Sequence, residues 1–267
     1  MGAELPEPEQ LSFARGDHEL RLFRWSRPGS RRVLFVHGIG MGHSVYDRFV
    51  ATAHRECEVI CVDLPGFGSA PEPAEARSIE ATAELLAAGI DELRLAPLTA
   101  IGHSMGSQVV AELAAERPEL VDRAVLVAPT VNRRERTAVK QAMRMLQDLG
   151  TTSPTVLAKG LIAYLRTGPR WFFKKLAPTL EHRIEYTLPR IHHRVLVLRG
   201  EKDRVSPHDW AAEVAGLLPR GELRELADRG HEALVSSGEP AARLVLDWLH
   251  DAGGAVSPGT DRDDAAG

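Results

Sequence analysis

Residues 98–106 read Leu98-Thr99-Ala100-Ile101-Gly102-His103-Ser104-Met105-Gly106. The first four form a short apolar run of the kind that makes a buried parallel strand. Beyond Gly106, Val109, Val110 and Leu113 recur at helical spacing until Pro118 stops the pattern. Ser104 therefore stands on a sharp strand-to-helix turn, with a glycine two residues away on either side to avoid collision. Such a turn leaves its hydroxyl at the sheet edge, beside a helix N-terminus that favours developing negative charge. The plainer reading is a glycine-rich turn with an incidental serine. The position between strand and helix argues for the nucleophile instead.

Working outward, the same kind of apolar run recurs at Val33–Val36, Val59–Val62, Ala124–Val127, Val195–Leu198 and, more weakly, Leu223–Leu226. Helical patterns fill the gaps: Ile79, Leu85, Leu86, Ile90 and Leu93 share a face, and His208–Leu218 and Pro240–His250 follow later. Strands alternating with helices predict an α/β sandwich whose sheet is mostly parallel and covered on both faces. Leu11–Arg15 and Glu19–Trp25 flank Gly16-Asp17, so an opening hairpin adds two strands to six parallel ones and makes the sheet eight-stranded. About 65 residues separate Val127 from Val195, far more than a crossover needs. They read as helices at Val139–Leu149, Thr155–Leu165, Trp171–Leu176 and Glu181–Leu188, punctuated by Pro154, Gly168-Pro169, Pro178 and Pro189. The expected organisation is a flexible N-terminus (1–10), a core (11–129 and 195–251), a helical lid (130–194) and a disordered tail (252–267).

A serine alcohol needs a base within hydrogen-bond reach and a group that orients the base. His231 follows the last parallel run across Ala227-Asp228-Arg229-Gly230, and Asp203 follows the fifth across Arg199-Gly200-Glu201-Lys202. Both emerge at the sheet edge that carries Ser104, in the chain order Ser, Asp, His. His192 and His193 precede a strand and belong to the opposite edge. His208 opens a helix, and Asp209 and Asp228 do not lie directly beyond a strand end. An oxyanion also needs two backbone donors. Met105 supplies one; the other comes from Ile39 or Gly40, in the loop His37-Gly38-Ile39-Gly40-Met41-Gly42. A phosphate loop is disfavoured there because its lysine and Ser/Thr are absent.

From Leu11 to Asp251 the chain resembles the α/β-hydrolase fold family. Asp63-Leu64-Pro65-Gly66-Phe67-Gly68-Ser69 looks like the structural turn that members carry after the second parallel strand. Serine at the elbow departs from the aspartate of epoxide hydrolases and haloalkane dehalogenases. The glycine-rich loop is also similar to that of carbon–carbon bond hydrolases, but His103 and Glu232 stand where those carry Asn and Trp. The resemblance implies a serine hydrolase without cofactor or metal, acting on a small-molecule ester. Its rivals are a carbon–carbon hydrolase or acyl-transfer enzyme with the same triad, and a ligand receptor on this scaffold.

Composition limits the remaining options. The 267 residues are 43% hydrophobic and 26% charged, close to the globular average. A net charge of −4 has the wrong sign for nucleic acid. No stretch is long and apolar enough for a spanning helix, and the acidic, proline-containing start does not resemble a secretory signal. Cys57 and Cys61 read as buried thiols of a reducing cytoplasm. Residues 130–194 hold thirteen Lys or Arg against four acids, a charge of +9 that either draws an acidic substrate, an anionic partner protein or a membrane surface, or forms a solvated face. Within them Trp171, Phe172 and Tyr164 either line an acyl pocket or pin the lid to the core.

Overall fold

A computed structural model describes residues 5–149 and 169–251. One sheet of eight strands organises them: β1 (Glu9–Arg15), β2 (His18–Trp25), β3 (Arg32–Val36), β4 (Glu58–Asp63), β5 (Leu98–His103), β6 (Val121–Val127), β7 (Arg194–Gly200) and β8 (Gly221–Leu226). Their spatial order is β1-β2-β4-β3-β5-β6-β7-β8. β1 pairs antiparallel with β2, and β2 with β4, while every pair from β4 to β8 is parallel. This is the expected hairpin plus six parallel strands. One boundary needs correction. β1 takes in Glu9 and Gln10, assigned above to a flexible N-terminus, because Trp25 Nε1 donates to the Pro6 carbonyl at 2.7 Å and Leu5 packs on the core.

Nine α-helices surround the sheet among the described residues: α1 (Asp47–Ala53), α2 (Ile79–Glu92), α3 (Met105–Glu116), α4 (Ala138–Leu149), α5 (Pro169–Glu181), α6 (Ile184–Thr187), α7 (His208–Leu217), α8 (Ala233–Ser236) and α9 (Gly238–His250). Strand residues alternate between two apolar layers, as a period of two requires. Leu34, Val36, Ala124, Leu126, Val195 and Val197 face the layer of α2, α3 and α7. Val33, Phe35, Val125, Val127, Leu196 and Leu198 face the layer of α1, α8 and α9. α2 begins where Ser78 Oγ accepts from the Ala81 amide at 3.1 Å, an N-cap that satisfies one donor of the first turn.

Between β6 and β7 the insertion contributes α4, α5 and α6. Pro178 was expected to interrupt a helix, yet α5 runs through it. The proline removes one helical donor. Burial of Trp171, Lys175 and Thr179, spaced four apart on one face against the core, offsets that loss. The expected helix at Thr155–Leu165, with Tyr164, and the tail 252–267 lie outside the described residues. Cys57 and Cys61 are free and buried, and burial pushes both thiols up. No described helix is long and apolar enough to cross a membrane.

Candidate active site

β5 ends at His103 and α3 starts at Met105, so Ser104 alone makes the turn, with φ 54° and ψ −117°. That backbone conformation is strained for a residue with a side chain. The flanking glycines follow from close approach. A Cβ on Gly102 would stand 2.2 Å from the Gly106 carbonyl oxygen, and one on Gly106 2.3 Å from that of Val36. Strand, turn and helix are thus packed backbone to backbone, and Ser104 is 8% exposed.

The loops after β7 and β8 bring two distant residues to this point. His231 Nε2 lies 3.1 Å from Ser104 Oγ, and His231 Nδ1 lies 3.0 Å from Asp203 Oδ2. Asp203 Oδ1 accepts from the Val205 and Ser206 amides, both at 2.8 Å. Arg199 clamps the same loop by donating to the carbonyls of Glu201, Asp203 and Ser206. Bonds from Glu201 N to Leu226 O (2.9 Å) and Lys202 N to Arg229 O (2.7 Å) knit the two loops together. Burial alone would push the His231 imidazole down. The facing Asp203 carboxylate, with Asp148 and Glu232 nearby, outweighs it and holds the ring above its ordinary range. With Nδ1–H donated to Asp203, Nε2 is left to accept the Ser104 proton.

The loop after β3 closes the other side. Met41 N donates to Gly38 O at 3.2 Å, and Gly40 has φ 74°, the mark of a type II turn. That bond leaves the Ile39 and Gly40 amides outside the turn's own pairing. Gly38 comes close to the nucleophile: a Cβ placed on it would stand 3.2 Å from Ser104 Cβ. Met105, as the first residue of α3, has an N–H with no intrahelical acceptor.

Behind these donors a buried polar chain links the loop to the histidine. The Gly38 amide donates to Tyr46 Oη at 3.3 Å, Tyr46 Oη lies 2.9 Å from His103 Nδ1, and His103 Nε2 lies 3.1 Å from the His231 carbonyl. Nε2 must donate to that carbonyl, and in the neutral ring Nδ1 is then an acceptor. Burial, reinforced by His231, pushes His103 down to about 3. Asp63 is structural: it accepts from the His43 and Ser69 amides at 2.7 and 2.8 Å and fixes the adjoining turn.

Sequence reasoning missed Asp148. This carboxylate, near the end of α4 and 3% exposed, accepts from the His231 amide at 2.9 Å and the Arg204 amide at 3.1 Å. No local motif marks it; only the fold brings α4 against both loops. The aromatic cluster separates into two roles. Phe172 lies against the loop after β3, its ring 3.3 Å from where a Gly40 Cβ would stand. Trp171 is buried against the core. It is 1% exposed, its indole fills the space a side chain at Gly66 would need, and it packs edge-on to Phe67 with ring centroids 6.4 Å apart.

Much of the insertion's positive charge is engaged. Arg133 and Arg134 pair with Glu213, Arg136 with Glu185, Arg144 with Glu135 and Arg190 with Glu116. Two of the rival residues named above are engaged with other partners: Asp228 pairs with Lys202, and His208 with Glu225. Glu80 on α2, Glu112 on α3 and His182 just beyond α5 bring ligand-type atoms within 4.8 Å of one another. There Glu112 already accepts from His182 Nε2 (2.8 Å) and from Thr187.

A family model described as the alpha/beta hydrolase family matches residues 33–246. The chain belongs to that family. Among its curated relatives is the magnesium-chelatase 30 kDa subunit of Rhodobacter capsulatus, 26% identical over 247 residues, which cover 81% of this chain and 86% of that protein. Similar solved structures include a thermophilic esterase from Thermogutta terrifontis (TM-score 0.76, 21% identity, 90% and 98% of the two chains). The enol-lactonase of Burkholderia xenovorans LB400 is another (TM-score 0.78, 20% identity, 90% and 99%). At these identities the structural likeness speaks for the α/β-hydrolase fold, and the chemistry must be argued from the site.

Proposed function

We propose that the chain is a cofactor-independent serine hydrolase that cleaves a small or medium carboxylic ester through an acyl-enzyme. The observation that carries this reading is the continuous line from Ser104 Oγ through His231 to Asp203, with contacts of 3.1 and 3.0 Å. In this mechanism His231 Nε2 takes the hydroxyl proton as Ser104 attacks the carbonyl carbon. Asp203 holds the imidazole tautomer and stabilises its cation without being protonated. The oxyanion is received by the Met105 amide and that of Ile39 or Gly40. His231 then protonates the leaving alcohol, and afterwards removes a proton from the water that hydrolyses the acyl-enzyme.

Residues 130–194 act as a lid in this reading, with Phe172 bordering the acyl pocket; Tyr164, named with it as a substrate-binding candidate, lies outside the described residues. The ester assignment draws support from the names of the two similar structures, an esterase and an enol-lactonase, since a lactone is a cyclic ester. The free thiols of Cys57 and Cys61 support action in the cytoplasm. An activity-based fluorophosphonate label followed by peptide mapping tests the nucleophile: labelling at Ser104 is expected, and an unlabelled Ser104 in folded protein overturns the reading. p-Nitrophenyl esters assayed beside a vinylogous diketone acid test the bond cleaved. Faster turnover of the diketone would replace the esterase with a carbon–carbon hydrolase, and tight binding of a small molecule without turnover of either would favour a receptor.

A further inference from the structure

Tyr46 ends a short 3-10 turn (His43–Tyr46) just before α1 and is fully buried, its ring packed on Phe35 with centroids 4.3 Å apart. Three groups meet its hydroxyl: the Gly38 amide at 3.3 Å, Met41 Sδ at 3.0 Å and His103 Nδ1 at 2.9 Å. The first two belong to the loop after β3, and the third to the end of β5, next to Ser104. A phenol has one hydrogen to give and lone pairs to receive. The Gly38 N–H can only donate, so the oxygen accepts there. His103 spends its Nε2 hydrogen on the His231 carbonyl, and its Nδ1 lone pair is a stronger acceptor than a thioether sulfur. The hydroxyl hydrogen therefore belongs to Nδ1. Burial keeps both partners in the required form: it pushes the phenol up, so the proton stays, and the His103 ring down, so the ring stays neutral.

The Gly38 carbonyl is held as well. It accepts from Met41 N at 3.2 Å and from His37 Nδ1 at 2.7 Å, which carries the ring's hydrogen because His37 Nε2 accepts from the Leu64 amide at 3.1 Å. In a trans peptide the N–H and C=O point in opposite directions, so a fixed Gly38 carbonyl also fixes the Ile39 N–H. Of these supports, the Tyr46 hydroxyl is the one that continues to the base, through His103 to the His231 carbonyl. We infer that Tyr46 is a positioning residue: its hydroxyl, bonded to Gly38 on one side and His103 on the other, sets the loop after β3 against the His231 imidazole. This rests on the serine-hydrolase reading, in which that loop gives the oxyanion its second donor. The hydroxyl touches no reacting atom. Its removal leaves the Gly38 amide without that acceptor and His103 Nδ1 without that donor. Donor and base then lose their common register, which weakens the transition state more than the bound substrate.

The test is Tyr46→Phe in the full chain, which removes the hydroxyl and keeps the ring against Phe35. On p-nitrophenyl acetate kcat should fall about 10- to 100-fold while KM stays within about twofold. Affinity for a trifluoromethyl ketone, whose adduct with Ser104 mimics the tetrahedral intermediate, should fall in proportion to kcat/KM. An unchanged kcat, or a raised KM with kcat kept, overturns the inference. The 15N spectrum of the wild type gives a readout that stands even where the variant does not fold. His103 should hold the neutral Nε2–H tautomer between about pH 5 and 8, and a hydrogen on Nδ1 overturns the inference. The underlying reading fails visibly and separately. A wild-type Ser104 that resists a fluorophosphonate removes the hydrolase and this role with it, whereas a labelled, active wild type beside an equally active Tyr46→Phe removes Tyr46 alone.

Discussion

The Asp148 carboxylate accepts the backbone N–H of His231 at 2.9 Å, so a side chain of the insertion holds the imidazole's own loop. The same carboxylate receives Arg204 N, next to Asp203. One group on α4 thus braces the loops of both His231 and Asp203, and Asp148→Ala leaves two amides, one of them buried, without that acceptor. Such losses cost about 1–3 kcal/mol each. The expected result is a lower Tm together with a kcat reduced about tenfold or more and little change in KM, read by steady-state kinetics on an ester substrate. Asp148→Asn keeps an acceptor for only one of the two amides and turns an NH2 group on the other, so it should restore kcat only in part. It also removes a negative charge that raises His231, so the acid limb of its kcat/KM profile should shift to lower pH.

In the wild type that acid limb should lie above the ordinary histidine value of 6.5, because the folded pKa of His231 is raised and only the neutral ring can act as base. The stability linkage has the matching sign. The stabilisation from charged His231 beside Asp203 is complete below pH 6.5 and is lost as pH rises through the folded value. A pH–rate profile checks the first point. Urea melts across the same range, compared with His231→Gln, check the second.

Ser104→Ala should lower kcat/KM by about a thousandfold or more while leaving Tm nearly unchanged, since the hydroxyl serves chemistry rather than packing. Retained turnover in the purified variant would remove Ser104 from the mechanism.

Gly106→Ala sets a methyl group against the Val36 carbonyl and should cost about 3 kcal/mol, at the upper end of overpacking losses. Urea denaturation, or failure to accumulate as soluble protein, reports it. Activity should fall with it, because the same contact positions the serine turn.

Phe172→Ala should raise KM for longer acyl chains by about tenfold and leave that for acetyl esters unchanged, as expected of a residue at the pocket border. A chain-length series of p-nitrophenyl esters decides it. A uniform change across the series would make Phe172 a structural prop for the Gly40 loop.

The eight strands, the elbow and the three distant residues were legible in the sequence because each follows from local pattern. Short β-rich runs mark buried strands, and glycine spacing marks a turn where two backbones touch. Position just beyond a strand's C-terminal end then selected Asp203 and His231 from their rivals. What could not be read depends on tertiary partners alone. Asp148 resembles any acid on a helix until α4 is packed against the two loops. Trp171 and Phe172 are neighbours in sequence, yet a helical turn sends one into the core and the other to the loop after β3. α5 survives Pro178 because its buried face gains more from packing than one backbone bond supplies.

The brace at Asp148 limits how freely this molecule's parts can be exchanged. Specificity in such a scaffold invites chimeras, in which residues 130–194 are replaced wholesale by the equivalent stretch from another member. A transplant that omits an acid at the end of its first helix would arrive with well-formed walls and a loosened base. Successful grafting here therefore requires the donor segment to bring that single carboxylate, or the recipient loops to be rebuilt to stand without it.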